Sequence, residues 1–319
     1  MEYPIKEGLP RLLLLDPAET PEQVAKLERL NALAREVGWE SALRIVYEDT
    51  QNALRYVTEK SRASFIELLP LTPGSDVLEI GSSLGQFTAL LARRARSVCA
   101  LEVVAGQAEF TLERCRQEGV DNVFVAVGGD ECRLPYADGS FDIVVANLVF
   151  EWCASRCTDE PIDAVQRRFL DEIYRVSRAG GSLYLATKNR FALRFLVGKR
   201  DEHCHGLRFG SAMPRWLVRL LLRRKGWPRP SGMLHSHAGL MAMLRDSGFP
   251  RAQSFWAVPE MRYPIQYVPT DAESIRRARG TPGFVQGEMR STRLMMRFIP
   301  AGAVKHFTPG HAFLAIKPR

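Results

Sequence analysis

The sequence lacks a long hydrophobic run. The longest apolar run near its start, Leu12 to Leu15, is far shorter than the roughly 18 residues that a membrane-spanning helix needs. The run is also too short for the hydrophobic part of a secretory signal, and Asp16 ends it. The sequence therefore predicts a cytoplasmic protein.

Cysteine is scarce, and no Cys-x-x-Cys pair occurs among the six cysteines. Cys153 and Cys157 could share one side of a helix, with His203 and His205 further along the chain. The paired short spacings that are typical of zinc sites are missing, however. We expect no disulfide scaffold and no metal site, but free thiols in a reducing compartment.

What the sequence does contain is enough apolar material for a large core. Of its 319 residues 46% are hydrophobic and 25% are charged, which excludes a mainly disordered chain. The 44 basic and 36 acidic residues give a net charge of +8. Such an excess could serve a nucleic acid, an anionic membrane or an acidic substrate, or reflect only a bias toward arginine. Because no interleaved basic and aromatic pattern occurs, we expect no nucleic-acid partner.

The chain divides into a helical part and an alternating part. Thr20-Pro21-Glu22-Gln23 is typical of a helix start, and helical spacing continues to about residue 70. Five short apolar runs then alternate with helices, and a helix over Pro161–Arg178 is expected to stop at Ala179-Gly180-Gly181. This alternation predicts an α/β domain with a doubly wound, Rossmann-like parallel sheet. The five predicted strands are 77–80, 97–103, 122–127, 141–146 and 182–187.

After Lys188 the alternation lapses. A helix capped by Ser236 and two more strands, 254–258 and 311–316, follow it. We therefore divide the chain into an N-terminal helical extension, a ligand-binding core, an insertion, and a C-terminal part of the sheet that holds a second insertion over 264–309. The four segments are 1–70, 71–188, 189–235 and 236–319.

Three acidic residues end the first three predicted strands of the sheet. Glu79 lies just before Gly81, Glu102 ends the second strand and Asp130 follows the third. Strands of a parallel sheet end at the same edge, where such folds bind ligands. A phosphate would prefer bare amides there, so the acids favour a cationic nucleoside. A dinucleotide fingerprint fails, because it would need glycine where Ser83 and Gln86 stand.

Around these acids the sequence resembles the class I S-adenosylmethionine-dependent methyltransferases with the "type 11" core. Residues 77–85, Val-Leu-Glu-Ile-Gly-Ser-Ser-Leu-Gly, look like the first motif of that family. Residues 129–144, with Leu134-Pro135 and Asp138-Gly139-Ser140-Phe141-Asp142, are similar to its signature between the third and fourth strands. Residues 169–181 resemble its helix and turn before strand five. Ser83 and Ala179 depart from the family pattern, but neither departure removes a ligand side chain.

The resemblance implies a seven-stranded sheet whose last strand is antiparallel, with S-adenosylmethionine as the cofactor. It implies that Glu79 and Gly81 lie by the methionine moiety, that Glu102 holds the ribose, and that Asp130 and Glu131 flank the adenine. Asn147 would lie beside the sulfonium. The full expected cofactor set is Glu79, Gly81, Ser82, Gly85, Glu102, Asp130, Glu131 and Asn147.

A base helps methyl transfer when the acceptor is a hydroxyl group. Of five candidates we expect His203, because the insertion 189–235 should form a mobile lid over the acceptor site. A structural loop that holds surface histidines is the alternative. The five candidates are Glu151, His203, His205, His235 and His237.

The stretch 213–229 is strongly basic. Arg215, Arg219 and Arg223 form one stripe on a helix, and the apolar face is expected at Trp216, Leu217, Leu220 and Leu221. The helix could touch an anionic membrane or a lipid-linked substrate, or it could pack on the core with its arginines in water.

The sequence thus predicts a methyltransferase that acts on a small-molecule, glycan or lipid-linked acceptor, at oxygen. The alternative is a non-catalytic binding or scaffold protein that keeps a methyltransferase fold. Glu79, Gly81, Glu102 and Asp130 speak against that alternative, since a decayed site would not need them.

Overall fold

A computed structural model describes residues 4–6, 8–13, 19–155, 157, 160–227, 229–284 and 297–319. Part of the short apolar run (14–16), residue 228 of the basic stretch and residues 285–296 of the second insertion lie outside the described residues. No described helix is both long and apolar enough to cross a bilayer.

The described residues form twelve strands, of which ten make one sheet and two make a small hairpin. The large sheet has the order β1-β2-β5-β4-β3-β6-β7-β12-β10-β11, and β8 pairs with β9. The strands are β1 (Ile5–Lys6), β2 (Leu9–Leu12), β3 (Asp76–Ile80), β4 (Ser97–Glu102), β5 (Val123–Gly128), β6 (Phe141–Asn147), β7 (Ser177–Lys188), β8 (Arg200–Asp201), β9 (Leu207–Arg208), β10 (Arg251–Val258), β11 (Gln266–Pro269) and β12 (Gly310–Ile316).

The seven predicted strands form the centre of this sheet. The strands β3 to β7 are parallel, and β12 lies antiparallel to both β7 and β10. This confirms the Rossmann-like α/β class and the antiparallel last strand. Three strands that we did not predict extend the sheet: β1 and β2 beyond β5, and β11 beyond β10.

Helices cover both faces of the sheet. Successive residues of a strand point to opposite faces, and here both sets of side chains are apolar and buried. On one face Leu78 and Val144 pack with α6 and α9. On the other face Val77 and Val145 pack with α4 and a 3-10 helix over residues 60–68. The helices are α1 (Pro21–Val37), α2 (Trp39–Val46), α3 (Gln51–Thr58), α4 (Thr88–Ala92), α5 (Ala105–Gln117), α6 (Ile162–Val176), α7 (Leu193–Leu196), α8 (Arg215–Arg224), α9 (His237–Asp246) and α10 (Ala272–Gly280).

Two local predictions about helices are wrong. The helix α6 ends at Val176, and Ala179-Gly180-Gly181 lies inside β7 rather than at a helix end. In α8 the buried side chains are Val218 and Leu222, whereas Trp216 is 68% exposed. The predicted apolar face is therefore rotated away from the one that packs.

Candidate active site

The turn after β3 has a backbone that only glycine adopts easily. Gly81 has a φ of +76°, and its N–H donates a hydrogen bond to the carbonyl oxygen of Leu101 at 2.7 Å. A side chain at this position would place its Cβ 2.4 Å from Cγ2 of Val149. The turn therefore runs close beneath the loop that follows β6.

A cleft of about 1090 Å³ opens at this turn, at the carboxyl ends of β3, β4, β5 and β6. It is called the cofactor cleft here. Five of the predicted cofactor residues line it, namely Gly81, Ser82, Glu102, Asp130 and Asn147. Its position matches the usual ligand edge of a parallel sheet.

Glu102 is buried at the end of β4, and backbone amides hold its carboxylate. One oxygen accepts from the N–H of Ser83 at 2.8 Å, and the other accepts from Val103 at 2.8 Å and Val104 at 3.1 Å. Burial raises the pKa of Glu102, while these three amides lower it. The side chain is fixed, and Oε2, which accepts only the Ser83 amide among these three, keeps room for a further donor such as a hydroxyl group.

Glu79 is placed differently from the expectation. It is buried inside β3 and is not among the residues that line the cofactor cleft. Its Oε2 accepts a hydrogen bond from the Thr88 hydroxyl at 2.6 Å. Burial raises the pKa of Glu79 to about 7, although the Thr88 hydrogen bond lowers it and the nearby Glu102 raises it further.

Two more predicted cofactor residues do not line the cleft. Gly85 packs against Thr111 of α5, and a Cβ there would come within 3.1 Å of that side chain. Glu131 lies 3.6 Å from Arg133, and its carbonyl oxygen accepts from Arg168. Gly85 follows Leu84 and Glu131 follows Asp130, both of which line the cleft, but Gly85 and Glu131 themselves do not border it.

The cleft suits S-adenosylmethionine on its chemistry. The buried hydroxyl of Ser82 lines it and has no hydrogen-bond partner among the described residues. Two carboxyl groups, Glu102 and Asp130, border the same space. An acceptor-rich site with an unpartnered hydroxyl fits a cation that also carries hydroxyl and amino donors.

A second cleft adjoins the first and is called the acceptor cleft here. It has a volume of about 1560 Å³, part of which is open to solvent, and it shares lining residues with the cofactor cleft, among them Leu148 and Trp152. Glu151 lines it but is fully buried itself. The Oε2 of Glu151 accepts from the Thr187 hydroxyl at 2.8 Å, and its Oε1 has no partner among the described residues.

The charged groups at the rim of the acceptor cleft pair with one another. Glu202 forms ion pairs with Lys188 and with Arg262, the latter at 3.3 Å. Burial alone would raise the pKa of Glu202, but the Lys188 ammonium outweighs it and the pKa is lowered. Together with Glu151 the cleft holds two carboxylates and two cations, so it presents little net charge.

His203 is not placed as the expected base. It is fully buried, its Nδ1 lies 2.9 Å from Oδ1 of Asp201, and its ring packs on Trp152 with centroids 4.5 Å apart. It borders neither cleft. The cluster of acids and histidines in the insertion is thus partly an internal pair, and His203 is not the surface histidine of the alternative interpretation.

The other candidate histidines also lie elsewhere. His205 stacks on Trp227, while His235 and His237 bond to Gln166 and Ser254. Of the five candidate bases only Glu151 borders the acceptor cleft. Within the described residues no group of three or more His, Cys, Asp or Glu side chains is arranged to hold a metal ion.

A family model described as a methyltransferase domain matches residues 78–185, the stretch that supplies most of the cofactor cleft. The chain carries a class I S-adenosylmethionine-dependent methyltransferase domain. The remaining segments, including the insertion that borders the acceptor cleft, lie outside the matched range.

Curated relatives match this domain over part of their length. The biotin biosynthesis bifunctional protein BioHC of Cellvibrio japonicus is 32% identical over 130 residues, which are 40% of this chain and 23% of that protein. The malonyl-[acyl-carrier protein] O-methyltransferase of Methylococcus capsulatus is 32% identical over 148 residues, 46% of this chain and 48% of the relative. The chain thus spans less than half the length of both relatives.

A solved structure supports the same fold for the methyltransferase domain. The phosphoethanolamine N-methyltransferase 2 of Haemonchus contortus, in complex with phosphomonomethylethanolamine and S-adenosylhomocysteine, aligns with a TM-score of 0.50 at 15% identity. The alignment covers 90% of this chain and 59% of that protein.

Proposed function

We propose that this chain methylates a hydroxyl group on a small-molecule, glycan or lipid-linked acceptor. The observation that carries the proposal is the position of Glu151, a buried carboxylate that borders the acceptor cleft and whose Oε1 has no hydrogen-bond partner among the described residues. When bound, S-adenosylmethionine supplies an activated methyl group. Glu102 and Asp130 would hold it, and the residues shared by the two clefts would bring the acceptor close.

Glu151 would act as the general base in this proposal. A hydroxyl acceptor can donate its proton to Oε1 of Glu151, while the Thr187 hydrogen bond to Oε2 keeps the carboxylate in place. A carboxylate acceptor would meet like charge at this position and would have no proton to give. The cleft therefore favours a hydroxyl acceptor over the malonyl group in the name of the Methylococcus relative.

Two variants separate cofactor binding from methyl transfer. Glu102→Ala should weaken S-adenosylmethionine binding by about 1.5–3 kcal/mol, the scale of hydrogen bonds to a charged group. Glu151→Gln should leave that affinity unchanged but abolish transfer, because an amide cannot take the proton. Calorimetry measures binding and a radiolabelled methyl group measures transfer, with Glu67→Ala as an exposed control.

The acceptor pair is chosen to differ in one group. Malonyl-[acyl-carrier protein] offers a carboxylate, and 3-hydroxypropionyl-[acyl-carrier protein] offers a hydroxyl at the same position; methyl glucoside represents glycans. Preferential methylation of the hydroxyl compounds supports the proposal. Preference for the malonyl group, or full activity of Glu151→Gln, contradicts the role of Glu151. Binding of S-adenosylmethionine without transfer to any member would favour the non-catalytic alternative.

A further inference from the structure

A third cavity lies within the insertion and borders neither of the two clefts. It has a volume of about 740 Å³, part of which is open to solvent, and it lies between the N-terminal end of α6, the helix α8 and residues 229–234. Its lining residues include four arginines, Arg190, Arg215, Arg219 and Arg229. No residue that lines it also lines the cofactor cleft or the acceptor cleft. It is called the arginine cavity here.

Arg190 is held rigidly but its charge is not neutralised. Its Nε donates to the carbonyl oxygen of Ser211 at 2.7 Å, and its Nη2 donates to that of Met213 at 2.8 Å. Both acceptors are uncharged, and Arg190 forms no ion pair within the described part of the chain. Burial lowers the pKa of Arg190, and the nearby Arg215 lowers it further.

A chain of hydrogen bonds fixes Arg215 beside it. The Gln166 amide nitrogen donates to the carbonyl oxygens of Phe150 and Met233, so its Oε1 must accept from Nε2 of His235 at 2.7 Å. The Nδ1 of His235 is then the acceptor for Arg215, 3.3 Å away. Burial lowers the pKa of His235 to about 3, as do the two arginines, which keeps this ring neutral.

Carboxylates only partly balance the cavity. Glu160 and Asp163 also line it, but both oxygens of Glu160 accept from Arg168 at 2.6 and 2.9 Å. Asp163 therefore remains the one lining carboxylate among the described residues without an ion pair of 4 Å or less. Arg229 donates to backbone carbonyl oxygens, as Arg190 does. The cavity keeps an excess of positive charge in a partly desolvated place.

The rest of the wall is largely apolar. Ile162, Val218 and Leu234 contribute to it, and Val218 and Leu234 are buried. A bound anion would offset the cost of partly removing Arg190 and Arg215 from water, and an alkyl group would cover the apolar wall. We propose that the arginine cavity binds a small amphiphilic anion, with a carboxylate or phosphate at Arg190 and Arg215 and a short apolar chain along α6 and α8.

Titration calorimetry with three six-carbon probes tests this. Hexanoate and hexyl phosphate carry an anion on alkyl chains of similar length, and hexanamide has the chain of hexanoate without its charge. We expect saturable binding of at least one anion and none of the amide, and the stronger of the two anions identifies the head group. Failure of both anions to bind saturably at millimolar concentration overturns the proposal.

Matched variants on one helix localise the binding. Arg215→Gln should lower the affinity for the anion about tenfold or more, the effect of losing a hydrogen bond to a charged group. Arg219→Gln is a second, more exposed variant in case the first does not fold. Arg224→Gln, exposed on the same helix and outside the cavity, should bind like the parent chain. If Arg215→Gln and Arg219→Gln both bind the anion as tightly as the control does, the assignment to the arginine cavity is overturned.

The inference does not depend on the methyltransferase proposal. Saturating S-adenosylhomocysteine should leave anion binding intact, and all three arginine variants should keep the affinity of the cofactor cleft. Displacement of the anion by S-adenosylhomocysteine would place it in the cofactor cleft instead and contradict the arginine cavity.

Discussion

Glu79 is a carboxyl group inside the sheet, and its protonation couples stability to pH. Its pKa is raised by burial from the ordinary 4.5 to about 7. Between these values the folded chain binds more protons than the unfolded chain, so the stabilising effect is complete below about pH 4.5 and is lost as the pH rises through 7. The change amounts to about 3 kcal/mol at most.

The variant Glu79→Gln removes this titration while it keeps the shape of the side chain. Urea unfolding at pH 5 and at pH 8, without ligand, should show that the parent chain loses more free energy of unfolding between these pH values than the variant does. The comparison cancels the other groups that titrate. Equal losses in both proteins would mean that Glu79 does not change its charge in this range.

The positions of single residues could be predicted from sequence where those residues follow the ends of parallel strands. Glu102, Asp130 and Asn147 follow parallel strands, so their meeting at one edge is implied by the sheet. The proposed role of Glu151 could not be ranked from sequence, because Glu151 lies in a turn after β6 and its partner Thr187 belongs to β7. The burial of His203 was not predicted, although Asp201, two residues away, offered a local partner.

The carboxylate of Glu202 joins the insertion 189–235 to the acceptor cleft by ion pairs. Its ion pairs with Lys188 of β7 and Arg262 join the insertion to two other parts of the chain. Glu202→Gln should therefore speed hydrogen exchange over residues 200–209 several-fold, because the local opening costs less free energy. Exchange measured by mass spectrometry checks this. That the insertion acts as a mobile lid stays a prediction.

The control for this experiment is Glu273→Gln, which breaks an exposed pair with Arg277 on α10. It should leave exchange over 200–209 unchanged. Neither variant should alter the affinity for S-adenosylhomocysteine. Glu202 lines the acceptor cleft but not the cofactor cleft, and Glu273 lines neither. Unchanged exchange in Glu202→Gln would mean that apolar packing, not the ion pairs, holds the insertion.

Elements were predictable where a local signal marks them. Thr20 and Gln23 form the expected capping box, and the Ser236 side chain accepts from the N–H of Gly239. The strand β2 was missed because four residues that include a proline carry little periodicity, and only pairing with β5 defines the strand. The face of α8 was misassigned because nearly all of its residues are either apolar or arginine, so the pattern alone does not orient it.

The whole molecule carries a net charge of +8, yet we expect no affinity for nucleic acid. Many of its arginines are paired with carboxylates on the surface, and others line the arginine cavity. The chain should pass an immobilised-RNA column at physiological salt. Retention that falls steeply with added salt would indicate phosphate contacts and contradict this expectation.

Trp152 occupies a position with a spectroscopic consequence. It borders both the cofactor cleft and the acceptor cleft, and its indole packs on the buried ring of His203. The other four tryptophans, Trp39, Trp216, Trp227 and Trp256, are described by the structure and line neither cleft. Trp152 should therefore dominate any change of intrinsic fluorescence when a ligand binds in either cleft. Its emission should respond separately to the cofactor and to the acceptor, and so reveal the order in which they bind.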